Sequence, residues 1–348
     1  MKPDDLPLAL RYRRHNRGRL AVLGGLALLL AASFLFDLSS GPAGLSLGSV
    51  LHGLWQPASL DAAQRVIVFD VRLPYALMAL VVGAALGLGG AQMQTVLNNP
   101  LASPFTLGLA AAATLGASLA IVFQHLQPLP ANLLVPLAAF ACALGVTGLI
   151  LLLSRWHGGG GATLVLFGIA LLFALEALVW LLQFLAEANA LEQIVFWSMG
   201  SLARASLQHV GLIGVALALC FTLAMRRAWA LTLLRGGETH AASLGVNVAR
   251  LRAITLVEVS LMTAAALAFV GTIGFVGLVG PHIARLLVGE QHRFLLPASL
   301  LCGALMLSLA SIASKTIVPG LIIPIGIVTA LVGVPVFIAL ILSRKGGV

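Results

Sequence analysis

The stretch RLPYALMALVVGAALGLGGAQMQTVLNNPLASPFTLG, Arg72 to Gly108, decides the fold class. From Leu73 to Gln94 it holds no charged residue. About 20 apolar residues in helical form cross the roughly 30 Å hydrocarbon core of a bilayer. Backbone groups cannot go unpaired in lipid, so such a run is a helix. The break before Pro100 frees backbone groups that Gln92, Gln94, Asn98 and Asn99 can satisfy.

Outward from this run the pattern recurs. The 348 residues are 60% hydrophobic and 9% charged, against about a quarter charged in a soluble domain. So few charges cannot cover a water-facing globule of this size. About ten spans are expected: Leu20–Phe36, Leu73–Gln94, Phe105–Phe123, Leu133–Leu153, Thr163–Leu185, Val210–Met225, Ala253–Val270, Gly274–Val288, Leu295–Ile312 and Ile325–Leu342. The fold class is therefore all-α, a polytopic helical bundle forming one transmembrane domain over residues 1–348. The first run lacks a convincing small-residue cleavage site and reads as a retained helix rather than a signal peptide.

The formal charge of +9 suggests nucleic acid until its distribution is mapped. With both termini inside, Lys2, Arg11, Arg13, Arg14, Arg17, Arg19, Arg155, Arg226, Arg227, Arg235, Arg250, Arg252, Arg285, Arg293, Arg344 and Lys345 lie inside. Only Arg65, Arg72, Arg204 and Lys315 fall outside, as the positive-inside rule requires. Residues 1–19 then form a basic inner tail, and 39–71 an outer segment with a short interfacial helix around Leu47 to Trp55. Residues 228–250 are the longest inner loop, in which Glu238 to Leu244 can form a helix closed by Gly245.

Little here suggests catalysis. HGGGG, His157 to Gly161, lacks the Gly-Lys-Ser/Thr ending of a phosphate loop. Cys142, Cys220 and Cys302 lie singly in apolar runs and read as packing residues. Nothing resembles Ser-His-Asp, HExxH or CxxCH. Glu176 is the conspicuous intramembrane carboxyl, either functional or packed between helices. Glu258 reads as structural. A faint similarity links the stretches after Arg72 and Arg252, crossing in opposite directions as inverted transporter repeats do.

At this point the residues resemble a known family, the permeases of type II ABC importers that carry iron-siderophore, haem and cobalamin. The opening block is similar to its Arg-Leu-Pro-Arg, Gly-rich helix and Asn-Pro-Leu-Ala pattern. VFWSMGSL (Val195–Leu202), HAASLGVNVARLR (His240–Arg252), GFVGLVGPHIARLLVGEQHRFLLPAS (Gly274–Ser299) and PIGIVTALVGVPVFIALIL (Pro324–Leu342) follow in the family's order. Tyr75 stands where the family has its second Arg.

The resemblance implies a bacterial inner-membrane protein with cytoplasmic termini. Its partners would be a second permease subunit, equal or different, two cytosolic ATPase subunits holding the ATP and Mg²⁺, and a periplasmic binding protein. No cofactor is expected on this chain, nor nucleic acid. Arg72, Lys315 and Arg65 would dock the binding protein by opposite-sign pairing, or else serve as snorkelling anchors. Glu238, Ala242, Leu244 and Gly245, with His282 and Arg285, would meet the ATPase. The fifth and tenth helices would line the path, with Glu176, Thr329 and Gly333 as candidates. An ion-coupled secondary transporter is the alternative; it would need embedded ionisable groups beyond Glu176 and Glu258.

Overall fold

A run of Gly and Ala sets the centre of the bundle. The computed structural model describes residues 8–41, 44–126, 128–156 and 160–343. The helices are α1 (Leu8–Ser39), α2 (Leu47–Trp55), α3 (Ala62–Val66), α4 (Leu73–Val96), α5 (Leu109–Val122), α6 (Ala131–Trp156), α7 (Gly161–Leu185) and α8 (Ala188–Ser198). They continue with α9 (Leu207–Arg226), α10 (Ala228–Arg235), α11 (Glu238–Ser243), α12 (Val248–Val270), α13 (Val276–Val288), α14 (His292–Thr316) and α15 (Ile325–Ser343). Among the described residues there is no strand.

α4 is buried on all sides from Val82 to Val96. Its stripe Gly83, Gly87, Gly90 explains why. A Cβ at Gly83 or Gly87 would collide with backbone of α14 at Gly303 and Ser299, and one at Gly90 with the Gly277 carbonyl of α13. Small residues at such spacing let helices approach closely in lipid, where no hydrophobic effect drives them together. α1 packs on α14 through Leu26 beside Cys302 and a hydroxyl pair, Ser33–Ser308, at 2.7 Å.

Among the described residues, seven helices are long and apolar enough to cross a membrane, and α5, α13 and α15 are shorter apolar helices. Together they are the expected spans. α13 has 13 residues, about 20 Å of helix; it follows an unwound stretch, Gly271–Gly274, and Phe275 at φ 65°. α5 is likewise shorter than expected, because residues 97–108 form turns. Each long buried helix, α4 and α12, is thus followed by a break and a short helix. The interfacial helix appears as α2, capped by the Ser46 hydroxyl.

Three features depart from the sequence reading. α1 begins at Leu8, so helix runs through most of the basic segment expected as a tail. α3 continues through a π turn, Ile67–Arg72, into α4, and α10 occupies the start of the inner loop. His157 to Gly159 of HGGGG, with Lys2, Arg344 and Lys345, lie outside the described residues.

Candidate functional site

The inner loop folds as two short helices. α11 ends in a Schellman turn: the Val246 N–H donates to Ala241 O (3.1 Å) and the Gly245 N–H to Ala242 O (3.0 Å). Gly245 sits at φ 85° with open space around its missing Cβ, so the backbone angle, not room, demands glycine. Ala241 is fully buried and anchors the helix, while Glu238, Ala242, Leu244 and Gly245 are exposed. Glu238, in the first turn where the helix dipole favours a carboxylate, lies 2.5 Å from Arg252 Nη2. Arg252 Nε in turn donates to the Val96 carbonyl at 2.9 Å. One guanidinium therefore joins α11, α12 and the end of α4.

Beside it lies a second network. Arg235 forks onto Glu290 at 2.5 and 3.0 Å and reaches Asn98 Oδ1 at 3.4 Å. Arg285 touches Glu290 at 3.4 Å and donates to Gln94 Oε1 at 3.0 Å, and Gln94 Nε2 donates to Leu278 O. These bonds hold Glu290 below the usual carboxylate range, the hydrogen bond from Arg235 contributing most. His292, fully buried, pairs with Thr95 at 2.7 Å and Thr232 at 3.1 Å. His282 and Arg285, expected as surface contacts, are each 8% exposed. They lie inside because α13 packs that face against α4 and α14; Arg285 is an internal brace.

At the far end of the bundle the expected docking cations also turn inward. Arg72 is 5% exposed, and its Nη1 donates to the carbonyls of Leu38 and Ser39 at 3.0 Å. Lys315 pairs with the fully buried Asp37 at 2.5 Å, donates to its backbone carbonyl, and sits 4.9 Å from the Tyr75 ring centroid. Ser311 donates to the same carboxylate. The π turn aims Arg72 at the end of α1, whose open carbonyls attract cations. In the single chain neither charge faces outward; Arg65 on α3 does.

The intramembrane candidates separate. Glu258 is buried and paired with Arg227. Glu176 is half-buried on the wall of a cavity of about 240 Å³ shared with Thr114, Gln183, Ser198 and Thr272. Thr329 is 1% exposed and bonds back to Gly326 O. A Cβ at Gly333 would run into Phe275. Both face the bundle, because α15 lies against Met199, Thr272 and Phe275 on that side. Its free face is instead Ile327, Leu331, Val334, Ile338 and Leu342. α7 likewise presents Leu166, Phe173, Trp180 and Phe184.

Sequence reasoning missed Asp37, Glu290 and Arg252 as bracing groups. A weak signal existed: opposite charges, Asp37 and Lys315, each close the same end of an apolar run.

Comparison with known proteins agrees with this geometry. The hemin transport system permease protein HmuU of Yersinia pestis is 36% identical over 325 residues, covering 93% of this chain and 96% of that one. The molybdate import system permease protein MolB of Haemophilus influenzae is 35% identical, covering 100% and 99%. A solved metal-chelate type ABC transporter in an inward-facing conformation superimposes with TM-score 0.82 at 34% identity, over 93% of this chain and 99% of that one. Residues 29–343 match the model of the FecCD transport family. A bundle built on α4, with a short exposed helix braced at one end, is thus the fold of a membrane permease, and this chain belongs to the FecCD transport family of ABC importer permeases.

Proposed function

We propose that this permease carries an iron chelate, an iron-siderophore before haem or cobalamin, after delivery by a periplasmic binding protein. Two cytosolic ATPase subunits drive it, and a second permease subunit completes the path in a bacterial inner membrane, with both termini cytoplasmic. The observation that carries the ATP-driven reading is α11: exposed, ended by a positive-φ glycine, and tied through Glu238 and Arg252 to α4 and α12. A push on α11 would reach two buried helices through one charged contact. Arg65 is the docking cation this geometry favours.

The free faces of α7 and α15 support a bulky chelate over a small oxyanion. Both helices lack Lys and Arg throughout, so they offer an oxyanion no cationic partner. Embedded charges give ion coupling little to use: Asp37 and Glu258 are neutralised by Lys315 and Arg227, and among the described residues Glu176 on its cavity wall is left as a lone carboxyl. Proteoliposomes holding the permease, its ATPase and the binding protein should take up a radiolabelled iron chelate on ATP addition, and more slowly haem or molybdate. Uptake of molybdate alone would remove the substrate assignment. Uptake on an ion gradient without ATP would remove the mechanism.

A further inference from the structure

We propose that a cavity at the α11 end, between α6, α7 and α12, is a binding site for the phosphate headgroup of an anionic phospholipid. The cavity measures about 750 Å³, and its wall includes Leu151, Arg155, Leu164, Glu238, Arg250, Arg252 and Leu256. Arg252 is engaged by Glu238 and the Val96 carbonyl. Arg155 and Arg250 differ. Both are exposed, and among the described residues neither side chain has an ion pair or hydrogen bond. The wall thus carries three guanidiniums against one carboxylate, Glu238, which Arg252 engages, and the planar forks of the other two suit phosphate oxygens.

Position argues for a lipid as the source of that phosphate. Arg155 is the penultimate residue of α6, and Arg250 lies in the first turn of α12, so the charges stand where two spans reach headgroup depth. Below them Leu151, Leu164 and Leu256 give an apolar wall for an acyl chain. On the flanks, Leu149 and Leu152 of α6 and Ile254, Val257 and Leu261 of α12 are exposed, opening the site sideways to lipid. Trp156, 70% exposed, stands beside Arg155, as an indole does at a membrane interface. Basic pockets between transmembrane helices at the cytoplasmic side take acidic headgroups. A headgroup bridging α6 to α12 would steady the turn next to the Glu238–Arg252 contact.

The test uses the transporter purified with its partner subunits and reconstituted in nanodiscs of phosphatidylcholine with phosphatidylglycerol. Native mass spectrometry after detergent extraction reads the lipid retained. Wild type should hold phosphatidylglycerol, and the double variant Arg155→Gln/Arg250→Gln should retain several-fold less with an unchanged melting temperature. Arg13→Gln/Arg14→Gln, the same charge loss on α1, should retain the wild-type amount. Equal retention in both double variants would overturn the proposal. So would displacement of the lipid by millimolar inorganic phosphate, which would give the cavity to a soluble anion.

Discussion

At the scale of single residues, several cations of this chain close helix ends. Arg72 and Lys315 donate to the last carbonyls of α1, Arg252 to that of α4, and Arg204 to Val270 of α12 at 3.4 Å. The final carbonyls of a helix carry partial negative charge and have no intrahelical partner. In a bundle this poor in polar groups, a nearby basic side chain is the available donor. Lys315→Met should therefore destabilise by about 3–5 kcal/mol, because it strands a buried Asp37 carboxylate. Asp37→Asn added to it should restore most of the loss; a double variant as unstable as the single one in detergent melts would refute the pairing. Glu290 supplies a pH signature. Its carboxyl titrates below its ordinary value of 4.5, so the ionised form stabilises the fold above that value, and the contribution drains as pH falls through the lowered one. Glu290→Gln should melt earlier than wild type at neutral pH, with the gap closing under acid. A gap constant across pH would show that Arg235 and Arg285 do not sense its charge.

At the scale of elements, α11 shows what a local pattern can and cannot tell. Its limits and its glycine were legible in Glu238 to Gly245, because a C-terminal glycine at positive φ is a local requirement. Gly245→Val should cost about 1–2 kcal/mol of local strain. ATP hydrolysis should persist while transport falls, with the melting temperature of the bundle little changed. Equal transport per ATP in variant and wild type would sever α11 from coupling. The brace beneath was not legible: Arg252 and Glu238 lie 14 residues apart, but Val96 lies 156 from Arg252. His282 and Arg285 were misplaced for the same reason, since their motif does not say which side of α13 packs inward.

At the scale of the whole molecule, close helix contact at small residues joins the buried apolar clusters in holding the bundle together. Gly83 and Gly87 against Gly303, and Gly90 against Gly277, bring α4 into backbone contact with α14 and α13. Gly87→Val should block that approach and leave little folded protein, seen as loss of a monodisperse peak in detergent chromatography. The same change at Gly214 of α9, where a Cβ meets nothing within 4 Å, should be tolerated. Equal yields of the two variants would mean the stripe does not hold the bundle together.

By itself the sequence settled the membrane class, the spans and the family, because each rests on something one-dimensional: run length, charge spacing and motif order. The starts of α5 and α13 escaped it by a few residues, at 105–108 and 274–275, since an apolar residue in a turn inside a bundle looks like one in a helix. Only the tertiary structure decided which charges face inward. Burial of Arg72, Lys315 and Arg285 depends on where a distant helix places a carbonyl or carboxylate, and the pull of that partner sets the direction each side chain takes.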